Sequence, residues 1–175
     1  MIFYIIGYPF SGKTTFAQRI ANRTGGVFVD LDEIIYNNYG KSIITKCGEE
    51  YFRSKEHSTL IEVTETYEKS TKNVFISCGG GTPCFFDNIQ FMLKNGMVIY
   101  LKTPIDEIIR RMIKTGLNSR PLLQKHEEKG DLIEFVLNQY REREVEYNKA
   151  NIILNYDKDF DIKWTQLEFY WNQGA

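Results

Sequence analysis

The sequence predicts an α/β fold, a five-stranded parallel sheet covered by helices on both faces. Three observations carry this. Short apolar runs rich in β-branched residues recur at Ile2 to Ile6, Val27 to Asp30, Val74 to Ser77, Met97 to Leu101 and Asn151 to Leu154. Longer helical stretches separate them, so strand alternates with helix, as in a parallel sheet. The first run also passes directly into a glycine-bearing turn and then a helix start.

Taken in order, Ile2 to Ile6 is too short and lacks the basic leader of a signal peptide, so it reads as a strand. Helices are expected at Lys13 to Asn22, Glu49 to Ser70, Phe85 to Asn95, Pro104 to Thr115, Asp131 to Ala150 and Phe160 to Asn172, with Pro104 suited to a first helical turn. The polar piece 116–130 contains Asn118, Ser119, Arg120 and Pro121 between two helices and reads as a mobile surface lid. The 175 residues suit one domain spanning 1–175.

An apolar fraction of 42% and a charged fraction of 26% are those of a soluble globular chain. Lys and Arg number 22 against 23 Asp and Glu, so no basic field points to nucleic acid or an anionic membrane. Small-molecule chemistry is therefore expected. Cys47, Cys78 and Cys84 form no CxxC pair, and His57 and His126 lie at no matching ligand spacing, so buried or idle thiols in a reducing cytoplasm are expected.

The segment Gly7-Tyr8-Pro9-Phe10-Ser11-Gly12-Lys13-Thr14 meets the pattern G-x-x-x-x-G-K-[ST] between a strand and a helix. Backbone N–H groups of Phe10, Ser11 and Gly12 can turn toward phosphate oxygens, the helix start adds about half a positive charge, and Lys13 adds a full one. Thr14 would offer its hydroxyl to Mg²⁺ and Thr15 would bond an α-phosphate. Phe10 stands where many such loops carry glycine. No Asn-Lys-x-Asp segment occurs, which argues against a guanine switch protein and leaves a small kinase.

Three further patterns follow. In Asp30-Leu31-Asp32, alternation along an extended chain would turn both carboxylates to one side; a helix-capping pair is the alternative. Arg53 and Glu56 share a helix face, as a held guanidinium or a solvated surface pair. Cys78 is followed by Gly79, Gly80 and Gly81 at the carboxyl edge of the third strand, where a substrate can lie against bare backbone.

Together the phosphate loop, Asp-x-Asp, Phe52-Arg53-x-x-Glu56, Gly79-Gly80-Gly81 and Arg120-Pro121-Leu122-Leu123, in this order and spacing, resemble the shikimate kinases over Ile2 to about Asn155. The resemblance implies the strand order 2-3-1-4-5, ATP and Mg²⁺ as cofactors, and phosphorylation of the 3-hydroxyl of shikimate; a monomer is expected. It implies that Asp30 positions Mg²⁺ through water and that Asp32 is the base on the accepting hydroxyl. Arg53 would grip the substrate carboxylate, Arg120 would swing onto the phosphates, and Arg143 would be a second substrate arginine, with Arg141 its competitor. Departures fall at Glu144-Val145-Glu146, at Asn155-Tyr156-Asp157-Lys158 and at Ile43 and Ile44. Other readings are a kinase of another small acceptor, such as gluconate or a nucleotide, and a nucleotide-binding homologue without transfer.

Overall fold

In the computed structural model, which describes residues 1–115 and 129–173, the five expected strands form one parallel sheet. They are β1 (Ile2–Ile6), β2 (Val27–Asp30), β3 (Val74–Ser77), β4 (Met97–Lys102) and β5 (Ile152–Asn155), in the order β2-β3-β1-β4-β5. The register pairs Ile5 with Ser77 and Ser77 with Asp30. The carboxyl ends of β1, β3 and β2 therefore come level, and Gly7, Cys78 and Leu31 leave the sheet side by side.

Alternation along β1 sorts its residues between two cores. Phe3 and Ile5 pack with Phe16, Ala17 and Ile20 of α1 (Lys13–Thr24) and with Phe160 and Leu167 of α8 (Phe160–Gln173). Ile2, Tyr4 and Ile6 face the opposite core. That core is closed by α2 (Leu31–Tyr39), α3 (Ile43–Cys47), α4 (Glu49–Tyr67), α5 (Asn88–Asn95), α6 (Ile105–Thr115) and α7 (Lys129–Tyr147). No helix among the described residues is long and apolar enough to cross a membrane.

Three expectations need correction. Asp30 and Asp32 do not alternate along a strand, because β2 ends at Asp30 and its side chain caps α2 by accepting from Glu33 N at 3.2 Å. The cap starts a helix at Leu31, with Asp32 and Glu33 in its first turn, where negative charge suits the helix dipole. Helices α2 and α3 thus occupy a stretch with no expected helix. The helix expected from Phe85 is shorter: a 3₁₀ turn covers Thr82–Cys84, Phe86 and Asp87 have φ of 52° and 55°, and α5 starts at Asn88.

Candidate active site

The phosphate loop leaves β1 through Gly7, where φ is 143° and a Cβ would lie 2.9 Å from the carbonyl oxygen of Leu101. Gly12, at φ 92°, is the N-cap of α1 and brings no capping side chain, so the first-turn N–H groups keep their anion-binding character. Lys13, only 7% exposed, rests its ammonium on the Tyr8 carbonyl at 3.1 Å. Ser11 Oγ is a buried polar atom without a hydrogen-bond partner, set in the loop itself.

Phe10, at the position where many such loops carry glycine, has the left-handed φ of 67° that glycine enters without steric cost. Its carbonyl accepts from Arg111 Nη1 at 2.9 Å. Arg111 donates through Nε to Glu107 at 2.7 Å, and its guanidinium lies 5.4 Å from the ring of Tyr156. Glu107 is also held by Arg110 at 2.6 and 2.7 Å. The hydrogen bond from Arg110 keeps the Glu107 carboxyl well below the usual carboxylate range against the effect of burial.

Hard oxygen donors meet beside Lys13. Thr14 Oγ1 donates to Asp30 Oδ2 at 3.0 Å and lies 3.1 Å from Ser77 Oγ. Hydroxyl and carboxylate oxygens of this kind fit Mg²⁺, which takes few protein ligands and completes its shell with water and phosphate. Among the described residues no group of three or more His, Cys, Asp or Glu comes together where it could hold a metal ion.

The glycine trio is a wall whose three positions touch three different parts of the site. A Cβ at Gly79 would lie 2.6 Å from Glu56 Oε1 and 2.8 Å from Asp32 Oδ1. One at Gly80 would meet Pro9 of the phosphate loop at 2.5 Å, and one at Gly81 would meet Arg53 Nη1 at 2.5 Å. Side chains of Glu56, Asp32, Pro9 and Arg53 therefore pack directly on the three glycines, and this bare stretch of backbone links Asp32, the phosphate loop and Arg53.

Arg53 and Glu56 are no surface pair. Their side chains are 5% and 1% exposed and bonded at 2.7 Å, with Glu49 3.0 Å away on the other side of the guanidinium. Burial alone would lower the Arg53 pKa, but the charges and hydrogen bonds of Glu56 and Glu49 together outweigh it and the net shift is upward. Burial pushes the Glu56 carboxyl up, opposed by Arg53 and by the 2.6 Å bond from Thr82. The ring of Phe85 lies 4.5 Å from the guanidinium carbon of Arg53. The arginine is thus fixed on every side that protein covers.

On α7, Arg143 is 8% exposed whereas Arg141 is exposed, and Tyr140 and Tyr147 are buried on the same stripe. Arg143 sits over the ring of Tyr8 at 5.6 Å, and Tyr147 donates its hydroxyl hydrogen to the Gly80 carbonyl. Helix α7 therefore touches both the phosphate loop and the glycine wall. Of the free thiols, Cys47 is exposed, Cys78 is buried, and burial pushes Cys84 up to about 11.

The structure brings Lys13, Thr14, Asp30, Asp32, Arg53, Arg143 and the glycine trio to one sheet edge. Thr15 is exposed on the first turn of α1, and Arg120 lies outside the described residues. Helical spacing puts Tyr140 and Tyr147 on the stripe of Arg143, but sequence reasoning did not single out Ser77, Thr82, Phe85 or the Glu107–Arg111 pair. Only the Asp30-x-x-Glu33 spacing carried a local signal, that of a capped helix start.

Comparison with known proteins bears on the family and the fold. The family model described as shikimate kinase matches residues 9–164. A shikimate kinase of Azobacteroides pseudotrichonymphae is 38% identical over 153 residues, covering 86% of each chain. One of Parabacteroides distasonis is 37% identical, covering 89% of this chain and 87% of its own. The crystal structure of the Bacteroides thetaiotaomicron shikimate kinase superposes with a TM-score of 0.85 at 31% identity, over 98% of both chains. That of the Acinetobacter baumannii enzyme in complex with shikimate gives 0.82 at 28% identity, over 98% of this chain and 93% of its own.

Proposed function

The chain belongs to the shikimate kinase family, and on that footing we propose that it transfers the γ-phosphoryl group of ATP to the 3-hydroxyl of shikimate. The observation that carries the reading is the glycine wall, which puts a carboxylate (Asp32) at one end and a buried, pre-aligned guanidinium (Arg53) at the other. A small alcohol bearing a carboxylate suits that pair of ends.

In this reading Arg53 takes the substrate carboxylate with its planar fork, and Arg143 adds a second positive charge from α7. Asp32 accepts the proton of the hydroxyl as its oxygen bonds to phosphorus and the bond to ADP breaks. Backbone N–H groups of Phe10, Ser11 and Gly12, with Lys13 and Thr15, hold the phosphates. Magnesium, held by Thr14 and through water by Asp30, would neutralise phosphate charge. Arg120 is assigned to closing over the γ-phosphate, where it would add positive charge and exclude water. A cytoplasmic monomer is the matching proposal for its setting.

The test is ADP release by purified protein with Mg·ATP and a panel of small alcohols. Release that depends on shikimate is expected. Release without shikimate, preference for gluconate or a nucleotide, or ATP binding with no turnover would each overturn the assignment.

A further inference from the structure

We propose that Arg111 is a positioning residue for the nucleotide: it latches the Phe10 carbonyl and so holds the phosphate loop open against the backbone strain created by a side chain at position 10. The inference rests on the kinase reading above. A residue with a Cβ held near φ 67° is disfavoured about 5- to 30-fold in population, whereas glycine is not. If Phe10 relaxed to negative φ, its peptide carbonyl would swing and the cradle around Lys13 would change shape.

The latch is built to resist that swing. Arg111 Nη1 grips the Phe10 carbonyl at 2.9 Å while Nε is held by Glu107 at 2.7 Å. The same Nη1 lies 3.5 Å from the position of a Cβ on Gly12, so the guanidinium runs along the loop and reaches past one residue of it. Tyr156 flanks the guanidinium from beyond β5, with its ring centre 5.4 Å away and its hydroxyl 3.5 Å from Nη2. Glu107 is only 8% exposed and is shared with Arg110, so the anchor is itself packed and bonded. A hydrogen bond from a charged donor is of the size needed to offset one strained residue.

The latch and the strain should therefore be coupled. ATP affinity is measured by calorimetry, and the KM values for ATP and shikimate by ADP release, for Arg111→Met, Phe10→Gly and the double variant. Arg111→Met should weaken ATP binding about tenfold in the native background and less than about threefold in Phe10→Gly, which needs no latch. The shikimate KM should stay constant throughout. An equal loss in both backgrounds, no loss in either, or a matching rise in the shikimate KM would overturn the proposal. Should Arg111→Met fail to fold, Arg111→Lys, which keeps a donor, should bind ATP better than Glu107→Gln, which frees the anchor; the reverse order overturns it. Native protein that binds ATP without shikimate-dependent turnover would count against the acceptor assignment and leave the latch measurable.

Discussion

Replacing Gly81 with alanine probes the acceptor end without removing a charge. The new methyl would start 2.5 Å from Arg53 Nη1 and 2.6 Å from its Cζ, against 3.4 Å for ordinary contact. The guanidinium would have to retreat by about 1 Å. It has no slack for that, because Glu56 holds it at 2.7 Å and Glu49 at 3.0 Å, and it is 4% exposed. Overpacking of this kind costs about 1–3 kcal/mol, and if Arg53 grips the substrate as proposed, misplacing it by that distance reaches about a hundredfold in rate. Gly81→Ala should therefore raise the shikimate KM by about 10- to 100-fold, with the KM for ATP unchanged, in a steady-state ADP-release assay on protein shown to be folded by circular dichroism. Arg53→Ala is a poorer probe, since stranding Glu56 at 1% exposure would cost about 3–5 kcal/mol of stability. An unchanged shikimate KM in Gly81→Ala, or an equal rise for ATP, would refute the placement of Arg53 at the substrate.

Asp32→Asn keeps the size of the side chain but removes the proposed base, and should lower kcat about 10²- to 10⁴-fold with ATP affinity retained by calorimetry. Tyr147→Phe removes the hydroxyl that bonds the Gly80 carbonyl; it should cost about 1–3 kcal/mol in urea unfolding and raise the shikimate KM more than that for ATP. For Glu56, burial raises the folded carboxyl above its ordinary 4.5, so between 4.5 and the folded value the native chain binds more protons than the unfolded one. This group's contribution to stability is then fullest below 4.5 and is lost as pH rises through the folded value. Relative to Glu56→Gln, the native chain should lose stability with rising pH across that window, and a gain would contradict the assignment.

The parallel sheet was legible because each buried strand is a short apolar run between helical segments, and the phosphate loop because its spacing is dictated by phosphate geometry. The order of the strands came from family resemblance and not from the pattern of residues. Apart from one local cap, what the pattern of residues could not supply was long-range. The Asp30–Asp32 segment reads as extended by alternation, but the capping of Glu33 N by Asp30 turns it into a helix start. The pair Arg53 and Glu56 has the spacing of a surface salt bridge, and its burial is set by Thr82 and Phe85 from another part of the chain. Likewise Arg141 competes in sequence with Arg143, and the packing of α7 against Tyr8 and the glycine wall separates them. Phe10 was visible as an oddity, whereas its Arg111 latch spans 101 positions and left no local trace.

The most direct measurement is a crystal structure with shikimate and ADP bound. The shikimate carboxylate should lie against Arg53, with the 3-hydroxyl within hydrogen-bond reach of Asp32 and pointing toward the phosphate loop. A substrate bound with its carboxylate away from Arg53, or with another hydroxyl facing Asp32, would contradict the account.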